Sequence, residues 1–254
     1  DLRGRPGTMS TRTAVPPVFA DLEVETTLLA AGTLRVAGMD EVGRGALAGP
    51  VSVGVCVVDR GTGPCPVGLT DSKVLTARAR TEYLPLIDEW SVATAVGSAS
   101  AEEIDALGII RALRLAGQRA LVAVSETSGP VDVVLLDGSH DWLTEPEPDL
   151  LTMLEGDEVA APAGYSAPTV HTRVKADLSC ASVAAASVVA KCERDAVMVR
   201  LAKEHPHYGW IGNKGYGSAQ HVAALGEHGP SAFHRVSWRL PGVAAAADAA
   251  LDGP

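Results

Sequence analysis

The sequence predicts an α/β protein in which a mixed central sheet is flanked by helices and followed by a helical C-terminal extension. Two observations predict this class. The apolar segments 34–40 and 51–59 follow each other closely and indicate neighbouring strands, whereas the later strand patterns alternate with long helical patterns. The chain has 254 residues, of which 46% are hydrophobic, so it can bury one substantial core.

Each predicted element follows from a local pattern. Valines at alternate positions of residues 51–59 indicate a strand. The helical pattern over 76–90 contains Pro85, which we expect to kink or divide the helix because proline lacks a backbone N–H. Ser100 to Glu103 has the form of a capping box, and the apolar periodicity after it predicts one helix over 101–125. The other predicted elements are strands at 34–40, 91–98, 131–136 and 169–175 and a long helix over 178–204.

The charge of the chain is unevenly distributed. A net charge of −10 argues against a nucleic-acid partner when it is taken as a whole. Residues 173–239, however, contain nine basic and five acidic residues, so this section carries +4 and the rest carries −14. Much of the acidic excess lies in 145–158, which prolines interrupt and which we expect to form a surface loop. A basic face is therefore possible, and uneven surface charge without a function is the alternative.

The composition also indicates the cellular compartment of the protein. No apolar run approaches the roughly 20 residues that a membrane span needs, and no signal-peptide core follows the N-terminus. We therefore expect a cytoplasmic protein without membrane contact. The four cysteines have no metal-binding spacing and are expected to be buried, reduced thiols: Cys56, Cys65, Cys180 and Cys192.

Carboxylates recur where predicted elements begin or end. Asp40 closes one strand, Asp137 closes another, and Asp177 opens a helix. Each alone would more often be a cap or a turn residue. Together, at one edge of a sheet, they could hold two hard cations about 4 Å apart for a phosphoryl displacement. Glu41 can join Asp40 only if the backbone leaves the pleat there, because neighbouring side chains in a strand point to opposite faces.

A second feature follows Asp40 and Glu41 directly. Gly43-Arg44-Gly45 places an arginine between two glycines, where it has little reason to pack. Bare backbone amides and a guanidinium fork both suit phosphate oxygens. Acid beside such a turn indicates phosphate chemistry.

Five short motifs, each present once, follow one another along residues 34–238. They are Gly38 to Gly45, Asp71-Ser72-Lys73, Leu136-Asp137-Gly138, Lys175-Ala176-Asp177 with Ala184 to Lys191 and Arg194-Asp195, and Tyr208-Gly209 through Lys214-Gly215-Tyr216-Gly217. In this order they resemble the motifs of the bacterial ribonuclease HII family. The Ala- and Val-rich composition is similar to that of an actinobacterial member.

The resemblance implies a ribonuclease-H-like fold and a metal-dependent endoribonuclease. Its four-carboxylate metal site would be Asp40, Glu41, Asp137 and Asp177, holding Mg²⁺ or Mn²⁺ as a two-metal site with water as the nucleophile. Such an enzyme hydrolyses the RNA strand of RNA/DNA hybrids and cuts 5′ of ribonucleotides embedded in duplex DNA. The products carry 3′-hydroxyl and 5′-phosphate ends. Oxygen ligands suit both metals, so the residues do not rank them.

The resemblance also implies a set of substrate-binding residues. The backbone of Gly43, Arg44 and Gly45 would read the 2′-hydroxyl, and Lys73 would contact a phosphate. Tyr216 would stack on the deoxyribose after the ribonucleotide, with Tyr208 as the alternative. A half-buried packing role stays open for either tyrosine.

The composition of the two ends and the span of the resemblance predict the domain boundaries. Residues 1–20 are expected to be a disordered tail with a tag remnant before Met9, and 241–254 a flexible tail. Residues 21–240 would form one catalytic domain that ends in a helical substrate-binding segment. The acidic 145–158 insertion departs from the commoner pattern of the family, so its placement relative to nucleic acid stays open. With about 33 residues before the first strand, the type without an N-terminal substrate-binding domain is favoured.

Other polar residues and other functions have alternative interpretations. Asp195 is predicted to form a salt bridge, and His140, His205 and His207 are more typical of surface or loop positions. The chain could instead be a catalytically silent nucleic-acid-binding module or a nucleotide phosphotransferase, although no Walker-type loop supports the latter. A monomer is expected, with a possible contact to a sliding clamp.

Overall fold

The computed structural model describes residues 19–146 and 160–243. Most of both predicted tails, 1–18 and 244–254, lies outside the described residues. The same is true of residues 147–158 in the predicted acidic loop. None of the helices in the described part of the chain combines the length and apolarity that crossing a membrane requires.

Five strands form one sheet in the order β3-β2-β1-β4-β5. β1 pairs antiparallel with β2 and β2 antiparallel with β3, whereas β4 runs parallel to both β1 and β5. The sheet is therefore mixed, as predicted. The strands are β1 (Arg35–Val42), β2 (Val51–Asp59), β3 (Ala93–Ala99), β4 (Val133–Asp137) and β5 (Thr169–Arg173).

Helices cover both faces of the sheet. One long helix packs on β2 and β3 on one face, and another packs on β1 and β2 on the other. The described helices are α1 (Glu23–Ala30), α2 (Ala77–Trp90), α3 (Ala101–Leu107), α4 (Ile109–Ser128), α5 (Ala176–Ser179), α6 (Ala181–Glu204), α7 (Trp210–Asn213) and α8 (Ala219–His228), with a 3₁₀ turn at Pro206–Tyr208. α4 and α6 are the two long ones. This arrangement confirms the predicted α/β class.

A glycine in β1 lets α6 approach the sheet closely. A Cβ on Gly38 would lie 2.2 Å from the backbone of Ser182, a distance that packed atoms do not tolerate. The absence of a side chain therefore sets the spacing between β1 and α6. Because α6 lies so close, its side chains reach the β1 residues beyond Gly38.

Two predicted helices are each divided in the structure. The helix predicted over 101–125 ends at Leu107 and restarts at Ile109, because Gly108 has a φ of 75° that an α-helix cannot contain. The helix predicted over 178–204 is interrupted at Cys180, whose φ and ψ of −106° and 120° are extended. The capping box is confirmed: Ser100 accepts from the Glu103 N–H, and Glu103 accepts from the Ser100 N–H.

The helix predicted over 76–90 is not divided at Pro85, and the kink expected there as the other outcome stays a prediction. α2 continues through this residue from Ala77 to Trp90, with the Thr76 side chain capping its first turn. Pro85 is exposed, so its ring lies on the solvent side of the helix. β1 also differs from its prediction, since it continues two residues past Asp40 to Val42.

The C-terminal segment forms a small core of its own on the end of α6. Its buried members are Ala48, Met198, Ala202, Tyr208, Trp210, Ala224, Leu225 and Leu240. Short helices and turns supply most of these side chains, which confirms the predicted helical extension. Of the cysteines, Cys56 and Cys180 are buried, while Cys65 and Cys192 are partly exposed, and all four are free thiols.

Candidate active site

Asp40 lies near the carboxyl end of the central strand and faces α6. It is paired with Gly54 of β2 and is 4% exposed. Ser187 of α6 lies within hydrogen-bonding range of its carboxylate. The close approach of α6 at Gly38 therefore places a hydroxyl against this buried acid.

Asp137 and Asp177 are joined by the start of α5. Oδ1 of Asp137, at the end of β4, accepts the Ala176 N–H at 2.8 Å and the Asp177 N–H at 3.5 Å. Lys175, just before these residues, has a left-handed backbone with a φ of 57°. A strand end and a helix start are thus held together, and the parallel neighbours β1 and β4 end at the same edge of the sheet.

Lys73 extends into the same group of carboxylates. Its Nζ lies 3.8 Å from Oδ2 of Asp177 and 4.0 Å from Oδ1 of Asp71. The Asp71 side chain also accepts the backbone N–H of Lys73 at 2.9 Å, which fixes the turn that presents the lysine. We call Asp40, Asp71, Asp137, Asp177 and Lys73 the acidic cluster.

The environment of Asp40 disfavours its charged form. Burial raises the pKa of Asp40 to about 8, because a carboxylate loses hydration there. The nearby charges of Glu41 and Asp137 raise it further, while the hydrogen bond from Ser187 opposes them. Burial is thus the main reason that the charged form of Asp40 is disfavoured, and the neighbouring carboxylates add to it.

The pKa values of Asp177 and Lys73 are both raised, for different reasons. Burial raises the pKa of Asp177 to about 6, and the charges of Asp137 and Asp71 add to this effect. Burial lowers the pKa of the Lys73 ammonium, but the surrounding carboxylates, with Asp40 the largest contributor, outweigh burial and raise it overall. The lysine is stabilised in its charged form by the acids around it.

Glu41 does not lie on the face of Asp40. β1 stays regular through Val42, with Glu41 opposite Val53, so its side chain shares the face of Met39. Its Oε1 lies 3.5 Å from Nη1 of Arg44. Burial raises the pKa of Glu41, the Arg44 charge lowers it, and the charge of Asp137 raises it. A metal site shared by Glu41 and Asp40 was expected to need a break in the strand pleat at Glu41. The backbone instead leaves the pleat two residues later, at Gly43.

The Gly43–Gly45 turn lies at the end of β1 beside this group. Gly43 has a φ of 83°, which favours glycine, and a Cβ there would lie 2.0 Å from Nε of Arg194. Arg44 and Gly45 are exposed, and a Cβ on Gly45 would meet nothing within 4 Å. The turn therefore presents open backbone next to the carboxylates.

The structure separates the two candidate tyrosines. Tyr208 is 2% exposed, donates its hydroxyl hydrogen to the carbonyl of Gly229 at 2.8 Å and stacks on Trp210. Tyr216 is 38% exposed, and the guanidinium of Arg194 lies over its ring at 5.5 Å. The ring that a nucleotide could reach is therefore that of Tyr216.

The other polar residues singled out in the sequence lie elsewhere. Asp195 pairs with Lys191 at 2.7 Å and with Arg80 at 3.8 Å, as the salt-bridge prediction required. His140 is exposed. His205 and His207 pack at the end of α6, with ring centroids 6.2 Å apart.

Sequence reasoning gave no role to several residues that shape this site. Asp71 and Ser187 lie inside the five motifs, so a signal for both is present in the sequence. Arg194 and Arg235 are fully buried and bind backbone carbonyls of the segment that follows β1. Nothing local in the sequence indicates those contacts.

The chemistry of the acidic cluster fits a hard divalent cation. Carboxylate oxygens are the ligands that Mg²⁺ and Mn²⁺ prefer, and neighbouring carboxylates add to burial in raising the pKa values of Asp40 and Asp177. Across residues 19–146 and 160–243, no three His, Cys, Asp or Glu side chains stand close enough together to coordinate one ion.

Solved structures share this fold. The ribonuclease H2 of Pyrococcus horikoshii OT3 matches over 82% of this chain and 95% of its own, at a TM-score of 0.58 and 24% identity. The structure of Bst-RNase HIII in complex with Mn2+ matches over 80% of this chain and 64% of its own, at a TM-score of 0.55 and 23% identity. The fold is therefore of the ribonuclease-H-like class.

Sequence comparison narrows the class to one family. The family model described as Ribonuclease HII matches residues 37–240. The Ribonuclease HII of Streptomyces avermitilis is 46% identical over 209 residues, which cover 82% of this chain and 78% of that protein. The chain belongs to the ribonuclease HII family, a family of ribonuclease H enzymes.

Proposed function

We propose that this enzyme hydrolyses the RNA strand of RNA/DNA hybrids and also cuts on the 5′ side of single ribonucleotides embedded in duplex DNA. The products would carry 3′-hydroxyl and 5′-phosphate ends. One observation carries the proposal: aspartates at the ends of β1 and β4 and at the start of α5 lie at one edge of the sheet, next to the exposed residues Arg44 and Gly45. An enzyme with this specificity would serve ribonucleotide removal and the processing of RNA primers.

Asp40, Glu41, Asp137 and Asp177 would hold Mg²⁺ or Mn²⁺. Bound there, such ions lower the pKa of an attacking water and stabilise the leaving 3′-oxygen. The Mn²⁺ complex of the similar Bst-RNase HIII supports a divalent metal of this kind. Glu41 would have to release Arg44 to take part, since the two side chains form an ion pair 3.5 Å apart.

The substrate residues divide by what they would contact. The backbone N–H groups of Arg44 and Gly45 would meet the ribose 2′-hydroxyl, the local mark that distinguishes RNA from DNA. The Lys73 ammonium and the Arg44 guanidinium would neutralise phosphates. The exposed ring of Tyr216 would stack on the next deoxyribose, so that the enzyme senses the junction from RNA to DNA.

Two other functions remain as alternatives. A catalytically silent nucleic-acid-binding module would bind the same duplexes without cutting them. A nucleotide phosphotransferase would act on free nucleotides and would need a phosphate cradle at the Gly43–Gly45 turn. The monomeric state, the cytoplasmic location and a contact with a sliding clamp stay predictions.

The test compares three end-labelled substrates of one sequence: duplex DNA, the same duplex with one ribonucleotide, and an RNA/DNA hybrid. With Mg²⁺ or Mn²⁺ we expect cleavage of the second and third and none of the first. Sequencing gels should place the cut 5′ of the ribonucleotide. Binding without cleavage would favour the silent module, and hydrolysis of free ATP without nucleic acid would favour the phosphotransferase.

A further inference from the structure

Arg235 is a fully buried arginine whose hydrogen bonds go to backbone carbonyls. Its Nη2 donates to Gly43 O at 2.6 Å and to Gly49 O at 3.2 Å, and its Nη1 donates to Arg44 O at 2.7 Å. Its Nε also reaches Gly49 O at 3.4 Å. One guanidinium thus binds both ends of the segment 43–49, which follows β1. Arg235 lies 192 residues after Gly43 in the chain.

The planar peptide bond converts these contacts into an orientation. In a trans peptide unit, the C=O of one residue and the N–H of the next point in opposite directions. The unit of Gly43 O contains the Arg44 N–H, and the unit of Arg44 O contains the Gly45 N–H. Because Arg235 draws both carbonyls inward, both N–H groups point away from the protein.

The two outward N–H groups are free to bind a ligand. Among the described residues, neither the Arg44 N–H nor the Gly45 N–H has a protein acceptor. Both residues are exposed, and the space above Gly45 is open to at least 4 Å. A pair of adjacent, outward amides beside the acidic cluster is a ready site for an oxygen acceptor.

The position of Arg235 is itself fixed from three sides. The Trp238 ring lies 4.7 Å from its guanidinium, and its own N–H donates to Leu47 O at 3.0 Å. On the next residues, Asp105 of α3 accepts the N–H groups of Val236 and Ser237 at 2.9 and 3.0 Å. Asp105 therefore fixes the backbone of the two residues that follow Arg235, and it does not contact the Gly43–Gly45 turn.

Packing alone does not account for this residue. A buried guanidinium that binds carbonyls and no carboxylate loses its hydration without gaining an ion pair, which makes it a costly way to fill space. The planar guanidinium of Arg235 instead binds three carbonyls in fixed directions. An apolar side chain could fill the volume, but it could not orient two peptide units.

We propose that Arg235 is a positioning residue for ribose recognition: it turns the Arg44 and Gly45 N–H groups outward to meet the 2′-hydroxyl of the ribonucleotide. The inference rests on the proposed function, since it concerns the same substrate. Asp105 supports this role indirectly, because it binds the N–H groups of residues 236 and 237, which follow Arg235 in the chain.

The test measures discrimination between ribose and deoxyribose. Two fluorescent DNA duplexes, identical except for one ribonucleotide, are titrated with enzyme in Ca²⁺, and the ratio of their dissociation constants is compared across variants. Arg235→Lys keeps the charge but loses the fork, and should reduce the ratio about tenfold, the effect of losing roughly one hydrogen bond. Asp105→Ala should reduce the ratio in the same direction by a smaller factor.

Arg60→Lys is the matched control. The Arg60 fork also donates two hydrogen bonds to a carbonyl, that of Leu29 at 3.1 and 2.7 Å, but at the end of α1 rather than at the turn. Its discrimination ratio should equal that of the wild type. Thermal unfolding of each variant shows whether it is folded. If Arg235→Lys does not fold, the discrimination ratio of Asp105→Ala tests the role of Arg235.

Each outcome separates the inference from the function on which it rests. A wild-type enzyme that binds both duplexes equally and cuts neither contradicts the proposed function itself. A wild-type enzyme that discriminates, together with folded Arg235→Lys and Asp105→Ala variants of unchanged ratio, overturns the role of Arg235. A loss of discrimination in Arg60→Lys as large as in Arg235→Lys also overturns it.

Discussion

The Lys73 ammonium lies 3.8 Å from Oδ2 of Asp177, inside the group of acids that would bind metal. It is also 71% exposed, so it can move into solvent or onto a phosphate. This pairing gives one residue two opposing effects, because its charge repels a metal cation and attracts a nucleic acid.

Replacing Lys73 with Met should separate those effects. Without substrate, Mn²⁺ should bind about three- to tenfold more tightly, since a unit charge about 4 Å away in largely solvated surroundings contributes about 1 kcal/mol. The KM for the one-ribonucleotide duplex should rise. Calorimetric Mn²⁺ titration and steady-state kinetics measure the two changes, with Lys203→Met, an exposed lysine of α6, as the control. Unchanged or weaker Mn²⁺ binding would contradict the electrostatic role of Lys73.

The two tyrosines should respond in opposite ways to substitution. Tyr216→Ala removes an exposed ring and should lower kcat/KM at a single ribonucleotide, with little change in Tm. A loss of roughly 5- to 150-fold is what removal of one base–aromatic stacking contact gives, and the sugar contact should lie toward the lower end. Tyr208→Phe removes the hydrogen bond to Gly229 and should lower Tm while kcat/KM stays near that of the wild type. The reverse pattern would transfer the stacking role to Tyr208.

Glu25 supports α1 against the start of α6 and should matter for stability. This fully buried carboxylate accepts the Ser182 N–H at 2.9 Å and the Ser182 hydroxyl at 2.6 Å through Oε1. Glu25→Ala should reduce the free energy of unfolding by about 2–4 kcal/mol, because two buried donors lose their acceptor. Glu25→Gln keeps an acceptor oxygen and should cost less, as urea denaturation can measure. Equal losses in the two variants would show that the hydrogen bonds to Ser182 are not the cause.

His221 and His234 form a buried pair whose hydrogen bonds fix both rings in the neutral state. The Ser231 N–H donates to Nδ1 of His234 at 2.9 Å, so the proton of His234 is on Nε2, 3.0 Å from Nε2 of His221. The Trp210 N–H donates to that same His221 nitrogen, which leaves Nδ1 of His221 to donate to Tyr216 O at 2.9 Å. Protonating either ring would place two N–H groups face to face.

This pair predicts a loss of stability in acid. Burial lowers the pKa of His234 to about 4, with a further lowering from the His221 charge, against 6.5 for a free imidazole. A lowered folded pKa means that the unfolded chain binds more protons between these values. The stabilisation is therefore complete above about pH 6.5 and is lost as the pH falls toward 4, by roughly 3 kcal/mol.

Urea unfolding at several pH values measures this loss. His234→Gln should show a shallower decline of unfolding free energy between pH 6.5 and 4.5, because its side chain does not titrate. His228→Gln removes an exposed histidine and should follow the wild type. Parallel curves for the wild type and His234→Gln would remove His234 as the source of acid sensitivity.

The sequence predicts the sheet and the gathering of Asp40, Asp137 and Asp177 because both follow from local patterns and a topological rule. A regular alternation marks a strand, and parallel neighbours end at the same edge. The predicted position of Glu41 depended on where the pleat breaks, and that point is set by Gly43 and its buried arginine neighbours rather than by the strand itself.

The features that sequence reasoning missed depend on distant contacts. The break at Cys180 coincides with a backbone bridge to Asp21, whose carbonyl accepts the Ala181 N–H at 2.7 Å. The helical pattern across that break is continuous in the sequence, so nothing local reveals it. The hold of Arg235 on Gly43 likewise joins residues far apart in the chain.

Metal-dependent cleavage through Asp40 is tested most directly on a labelled duplex with one ribonucleotide. Wild type, Asp40→Asn and Asp88→Asn are compared with and without Mg²⁺ or Mn²⁺. Asp88 is an exposed aspartate of α2 outside the acidic cluster. We expect metal-dependent cleavage 5′ of the ribonucleotide by wild type and Asp88→Asn, and no cleavage by Asp40→Asn. Undiminished cleavage by Asp40→Asn, or no cleavage by wild type with either metal, would contradict this expectation.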